Sequence, residues 1–243
     1  MNLELRKIYI RHRKNYPETE VQYYAWLGLH NYGVETVPFY GFGDIQNIDD
    51  LGPEVGICGY IGDVHEALRK INKPIPENVD YPKELKEYLG RNISISTLEE
   101  VRKHPGKSMF IKPLEHKLFT GFVWNGSFEA ERRLAGLLGS TKVYVSEPKN
   151  ILSEYRCFVL DGEILDCRKY KGDWSLTPYK HDVNLTVSIM KNYSRAFCLD
   201  FGVLDTGETI LVEMNEGYAF GHYGLRPDLF ARMISARWSE MAK

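Results

Sequence analysis

The sixteen residues Asp200-Phe-Gly-Val-Leu-Asp-Thr-Gly-Glu-Thr-Ile-Leu-Val-Glu-Met-Asn215 decide how the rest of the chain is read. Two strand-like runs flank Asp205-Thr-Gly-Glu208, so the stretch predicts a β-hairpin. With Thr206-Gly207 as a two-residue turn, Asp200 lies directly opposite Glu213. Side chains alternate along a strand. Leu211, Glu213 and Asn215 therefore share one face, while Ile210, Val212 and Met214 turn into a core. Two carboxylates directly opposed across strands repel. A hard divalent cation would turn that repulsion into coordination, and Mg²⁺ takes carboxylate oxygens together with substrate phosphates. The competing reading is an edge hairpin whose acids face water.

The composition is that of an ordinary globular protein. Of 243 residues, 43% are hydrophobic and 26% charged, enough to bury one large domain or several small lobes. A formal net charge of -2 gives no electrostatic case for a nucleic-acid partner. No apolar run approaches the roughly 18 residues that span a membrane. The start, Met1 to Lys7, lacks the apolar centre of a signal peptide. A cytoplasmic protein with no membrane partner is expected. The cysteines, Cys58, Cys157, Cys167 and Cys198, form no CxxC pair and read as small buried hydrophobes rather than a zinc site.

In chain order, Lys7–Arg13 reads as a strand, and Pro17-Glu-Thr-Glu20 opens a helix to about His30 with Val21, Tyr24, Ala25, Gly28 and Leu29 on one face. A second strand spans 35–41, with Pro38 marking an edge or a bulge, and a third is Val55–Cys58. A helix follows from about Asp63. This alternation predicts a small parallel α/β lobe. The stretch Lys73-Pro-Ile-Pro-Glu-Asn-Val-Asp-Tyr-Pro82 is the linker candidate, so the first lobe spans 1–90. From Ser108 the chain turns to strands and hairpins: Met109–Pro113, Leu118–Trp124, Val143–Val145, and a hairpin about Asp161-Gly162. Helices are expected over Glu129–Leu138, burying Leu134, Leu137 and Leu138, over Asp182–Tyr193 and over Pro227 to about Met241. With Asp161-Gly162 as the turn, Glu154 and Arg156 share a face and Lys169 lies opposite Glu154. Arg168 falls on the other face unless a bulge intervenes. Cys157 and Cys167 lie on adjacent strands but not directly opposed.

Four pieces stand in order: Phe110-Ile-Lys-Pro113, Val145-Ser-Glu-Pro148, Glu154-Tyr-Arg156, and Asp200 with Glu213-Met-Asn215. Their order resembles the ATP-grasp superfamily. Glu147 precedes Glu154 by seven positions and Asp200 precedes Glu213 by thirteen, spacings similar to those of its amino-acid ligases. The resemblance covers roughly residues 108–220. The runs Asp80-Tyr-Pro-Lys-Glu-Leu85 and Ile111-Lys-Pro-Leu-Glu-His-Lys117 are similar to a bacterial and phage clade of that superfamily. Glu154-Tyr-Arg-Cys-Phe-Val159 also resembles a eukaryotic ATP-grasp assembly chaperone.

The resemblance implies an α/β (α+β) ATP-grasp fold. In it, the small parallel lobe (1–90) precedes an ATP-grasp domain (91–243) whose two lobes of antiparallel sheet and helices (91–145 and 146–243) grip ATP. It implies ATP and Mg²⁺ as cofactors, with Asp200, Glu213 and Asn215 as metal ligands. Lys112, a point charge at a strand end, would meet the nucleotide phosphates, and Lys117 would help from the phosphate-covering loop. Glu147 and Pro148 would mark the backbone that reads adenine, and Glu154 would accept from the ribose hydroxyls. Arg156 would stabilise phosphate or acyl-phosphate charge through its planar donor fork. Arg168 and Lys169 compete as the second cation, with Lys171, Lys180 and Arg195 adding charge nearby. One departure stands out. The amino-acid ligases carry an arginine two positions before the metal-binding aspartate, where this chain has Cys198; Arg195, three residues earlier, is the substitute candidate. His222 reads either as a substrate contact or as a hydrogen-bonded structural residue.

The implied activity is an ADP-forming carboxylate–amine (C–N) ligase acting on an amino acid, peptide or protein through an acyl phosphate. The alternative is an ATP-dependent assembly chaperone that grips a protein without ligating it. A third reading, phosphoryl transfer to a hydroxyl, uses the same groups.

Overall fold

The first strand, β1 (Lys7–Arg13), buries Ile8 and Ile10 completely and becomes the middle of a small sheet. A two-residue strand, β2 (Tyr16–Pro17), pairs antiparallel with its end. Then come α1 (Glu20–Asn31), β3 (Glu35–Phe39), α2 (Phe42–Gln46), β4 (Val55–Cys58) and α3 (Ile61–Lys70). β3 and β4 both run parallel to β1, one on each side. Pro38 has no amide hydrogen to give. Among the described residues β3 pairs with β1 alone, which is where a proline is tolerated. The structure is a computed structural model and describes residues 3–115 and 118–243.

The chain forms two units, Met1–Tyr88 together with Leu152–Lys243, and Leu89–Ile151. The second unit contains β5 (Ser94–Thr97), α4 (Leu98–Arg102), β6 (Met109–Pro113), β7 (Phe122–Trp124), α5 (Phe128–Arg133) and β8 (Lys142–Ser146). Its strands make one antiparallel sheet in the order β5-β8-β6-β7. Leu98, Val101, Ile111, Trp124, Leu134 and Val143 fill its core. Thr97 caps α4, its hydroxyl accepting from the Glu100 N–H at 3.3 Å. Two expectations were too long here. The strand begins at Phe122 rather than Leu118, and α5 stops at Arg133. The chain leaves the helix at Leu134, just ahead of Ala135-Gly136, and Leu138 is 73% exposed instead of buried.

The first unit resumes with β9 (Ile151–Leu160), β10 (Glu163–Gly172), α6 (Lys180–Met190), β11 (Ala196–Leu204), β12 (Thr209–Glu216) and α7 (Pro227–Met241). Their sheet order is β10-β9-β11-β12. β11 is covered on both sides, and all nine of its residues are buried. Phe230, Met233, Ile234 and Trp238 of α7 are buried, as their helical spacing predicts. Ile8, Ile10, Ile57 and Val64 of the parallel lobe share one hydrophobic core with Phe158, Ala196, Cys198, Phe230 and Trp238. That shared core makes two distant pieces of sequence one unit. α1 lies close against α7 at Gly28, where a Cβ would sit 1.9 Å from the Pro227 carbonyl oxygen. Residues 73–82 form no helix or strand, and the Asp80 carbonyl accepts from the Met214 N–H of β12 at 2.9 Å. The fold of the described residues is thus mixed α/β, with one largely parallel and two antiparallel sheets. Among the described residues, no helix is long and apolar enough to cross a membrane.

Candidate active site

The β11–β12 hairpin sets the site. Asp200 pairs directly with Glu213, and Cys198 with Asn215. The predicted register therefore holds at the carboxylates, by a route the sequence does not announce. Leu204 and Glu208 close a three-residue turn with Gly207 at φ 87°, the common turn-plus-bulge alternative to a two-residue loop. That shifts the pairing by one residue. A β-bulge between Asp200 and Phe201, opposite Leu211–Glu213, shifts it back. Val212 is the extra residue. It is only partly buried while Leu211 is fully buried, so the expected inward row of Ile210, Val212 and Met214 is broken at its middle.

The β9–β10 hairpin brings the cations. Its turn forms at Asp161-Gly162, both left-handed at φ 50° and 80°. Two bulges follow, at Leu165 and Tyr170. The first sets Arg168 directly opposite Arg156 and Cys167 directly opposite Cys157; the second sets Lys171, not Lys169, opposite Glu154. Arg168 therefore shares the face of Arg156. Cys157 and Cys167 are joined by a disulfide, a correction to their reading as independent buried thiols. Cys58 and Cys198 are buried and free.

Arg156, from β9, is buried and forks onto Asp200. Nε donates to Oδ1 at 2.7 Å and Nη2 to Oδ2 at 2.6 Å. Nη2 lies 4.0 Å from the Glu213 carboxylate, and Asn215 Nδ2 donates to Glu213 Oε1 at 3.1 Å. Burial works against the charge of Arg156, but the charge and hydrogen bonds of Asp200 outweigh it and raise the pKa, so the guanidinium stays protonated. Burial pushes the Asp200 carboxyl up to about 6, opposed by Arg156 and assisted by the nearby charges of Glu213 and Glu154. With the guanidinium forked onto it, the carboxylate is ionised at neutral pH. With Arg156 counted, the two carboxylates leave one net negative charge, and the donors are hard oxygens. Among the described residues, no group of three or more His, Cys, Asp or Glu side chains is arranged to hold a metal ion; here two carboxylates stand with one amide.

Glu154 accepts from the Tyr170 hydroxyl at 2.9 Å and is ion-paired with Lys171. Burial and the neighbouring carboxylates push the Tyr170 phenol well up, so it remains a donor. Tyr170 stacks on Tyr223 with centroids 4.6 Å apart, and Tyr223 lies over the Arg156 guanidinium. Neither tyrosine is singled out by the sequence. Tyr170 reaches Glu154 only because it is the bulged residue, and Tyr223 arrives from a loop.

The remaining predicted residues are engaged as follows. Arg168 donates to Asp166 at 2.7 Å, and Lys169 to the Gly172 carbonyl at 3.1 Å. Arg195 is not brought to Asp200: it forks onto Asp161 and meets Glu4. In the second unit, Lys112 sits on β6 opposite Tyr144. Glu147 follows β8 with Lys149 at 3.6 Å, and backbone hydrogen bonds lower its pKa; Pro148 comes next in the same connection. Lys117 lies outside the described residues.

The sequence profile described as ATP-grasp domain, R-two-K clade family 2, matches residues 88–233. The chain belongs to this ATP-grasp family. Comparison with curated proteins gives no match. Among solved structures, this ATP-grasp chain is similar in fold to N5-carboxyaminoimidazole synthetase from Staphylococcus aureus. The TM-score is 0.62 and the identity 11%, over 100% of this chain and 81% of that one. It is also similar to D-alanine–D-alanine ligase from Bacillus anthracis complexed with ATP (TM-score 0.55, identity 16%, 97% and 93% covered). A third is the ATP-grasp ligase PsnB complexed with a minimal precursor (TM-score 0.54, identity 13%, 91% and 94% covered).

Proposed function

We propose that this ATP-grasp protein is an ATP- and Mg²⁺-dependent ligase that joins a carboxylate to an amine through an acyl phosphate. The observation that carries the reading is the buried Arg156–Asp200 fork with Glu213 and Asn215 beside it on one sheet face. A surface hairpin does not bury a charge fork with a second carboxylate, half-buried, beside it; desolvating charge is costly unless partners are built for it. The oxygen donors of Asp200, Glu213 and Asn215 suit a hard divalent cation. When bound there, Mg²⁺ would neutralise the nucleotide phosphates.

In this reading a substrate carboxylate oxygen attacks the γ-phosphorus of ATP, and the bond to the β-phosphate oxygen breaks to release ADP. The amine nitrogen then attacks the acyl carbon, and phosphate departs with the original carboxylate oxygen and takes up the proton that the nitrogen loses. Arg156 stabilises the charge on the transferring group, the part that the arginine before the metal-binding aspartate would otherwise take. Arg168, on the same face, is the second cation. Lys112 and Lys117 meet phosphates, Glu147 and Pro148 mark the adenine-reading backbone, and Glu154 holds the ribose. Such groups work by positioning and by charge neutralisation rather than by covalent chemistry. The neighbours named for peptide precursors and for D-alanine ligation support an amino acid, peptide or protein as substrate.

The test uses amino acids and peptides carrying ¹⁸O in their carboxylates, with ATP and Mg²⁺. Released phosphate that carries one ¹⁸O supports the acyl phosphate. ADP with unlabelled phosphate refutes it, and a phosphorylated product without free phosphate points instead to a hydroxyl acceptor. Nucleotide binding without turnover, with a co-purifying protein, is the outcome that would favour a chaperone.

A further inference from the structure

The loop 217–226 joins β12 to α7, and His222 is its anchor. The residue is 7% exposed. Its ring stacks on Tyr24 of α1 with centroids 3.6 Å apart and planes 17° from parallel, and meets Phe230 of α7 edge-on. Nδ1 accepts from the Gly224 N–H at 3.0 Å. A backbone amide can only donate, so Nδ1 carries the lone pair and the neutral ring holds its proton on Nε2. Nε2 faces Glu20 of α1 at 3.3 Å. The imidazole thus ties the loop to α1 at one end and fixes its own next turn at the other.

The residues on either side of His222 are the ones that reach Arg156. The Gly221 carbonyl accepts from Nη1 at 3.4 Å. The Tyr223 ring lies 4.8 Å from the guanidinium carbon. Tyr223 also takes φ 42°, a left-handed conformation that a bulky residue keeps only where its surroundings hold it. Here the holders are the Tyr170 stack on one side and the Gly224–His222 hydrogen bond on the other. Of the five N–H groups of Arg156, Asp200 takes two and Gly221 one among the described residues. The direction in which the remaining donors point is set by the plane of the guanidinium, whose carbon lies over the Tyr223 ring.

We propose that His222 is a positioning residue for Arg156: through its Nδ1 acceptor it holds Gly221 and Tyr223 against the guanidinium and so aims the donors that Asp200 leaves over. The catalytic part of this inference rests on the ligase reading; the positioning part does not. His222 touches no reacting atom and acts only through its neighbours.

Two substitutions separate the acceptor from the ring. His222→Asn keeps an oxygen near the Nδ1 position, able to accept from the Gly224 N–H as asparagine does two residues on in turns. His222→Phe keeps a ring for Tyr24 and has no acceptor. Where His222→Phe does not fold, His222→Gln replaces it, because its acceptor overshoots Gly224. Two readouts are taken on the full chain: steady-state ADP formation, and the ¹⁵N–¹Hε NMR resonance of Arg156, assigned by its loss in Arg156→Lys. In His222→Phe the resonance moves or broadens. Its kcat falls at least about tenfold, the scale of a misplaced catalytic group, while KM for ATP stays within about threefold. His222→Asn restores both readouts. An unmoved Arg156 resonance in His222→Phe overturns the proposal, as does an Asn variant no better than Phe. If the wild type forms no ADP with any substrate while the resonance responds as stated, the ligase reading fails and the positioning stands.

Discussion

At the scale of single residues, the central object is the Arg156–Asp200 fork. Removing one partner of a buried pair strands the other. Asp200→Ala is therefore expected to lower unfolding free energy by about 3–5 kcal/mol at neutral pH, read by urea denaturation; a loss under about 1 kcal/mol would mean the pair is solvated. His222 gives a pH-dependent counterpart. Burial lowers its pKa from the ordinary 6.5, with Glu20, the charged group facing it from α1, pulling the other way; Tyr24 and Phe230 add only rings. The unfolded chain then takes up the proton first as pH falls. The His222 contribution is complete above the unfolded value and is lost as pH drops from 6.5 through the lowered folded value. The stability difference between wild type and His222→Asn should shrink in that window and nowhere above it; a difference that grows on acidification contradicts the assignment. At this scale the sequence was partly legible. Asp200, Glu213 and Asn215 could be read from one hairpin. The fork to Arg156 could not, because it depends on β9 lying beside β11, a pairing between strands far apart in the chain.

At the scale of elements, the places of turns were readable, while the length of the Asp205–Gly207 turn and the bulges were not. A bulge is one extra residue with no side-chain signature, yet it changes which residues face each other. In β11–β12 two irregularities cancel, and the predicted Asp200–Glu213 pair survives. In β9–β10 they accumulate. That moves Arg168 onto the face of Arg156, puts Lys171 on Glu154, and brings Cys157 to Cys167. Alkylation of denatured, unreduced protein should therefore label two cysteines per chain, Cys58 and Cys198, and label four after reduction; four labels without reduction would contradict the pairing. The contact between α1 and α7 makes a second element-scale expectation. Gly28→Ala would push a methyl into the Pro227 carbonyl, and overpacking of this kind costs about 1–3 kcal/mol. Thermal denaturation should show a clear drop in Tm, and an unchanged Tm would mean that the helices separate without cost.

For the whole molecule, the order of motifs along the chain identified the family where no single motif could. The order of elements did not reveal that residues 1–88 and 152–243 share one core. Core sharing is set by apolar faces meeting in space, and Phe158, Ala196 and Cys198 look locally like residues of any buried strand. The proline-rich stretch 73–82 shows the same limit: its composition marks a connection, while the Asp80 carbonyl binds it to β12. What the assembled molecule does is tested most directly by ADP release. With ATP, Mg²⁺ and pooled amino acids and peptides, the wild type is expected to turn over ATP to ADP continuously, because the amine clears the acyl phosphate that the carboxylate forms. Glu213→Gln is expected to keep its Tm and lose that turnover by about 100-fold or more, the scale of a charge that acts in the transition state. No ADP across the whole pool, or equal turnover in Glu213→Gln, would contradict it.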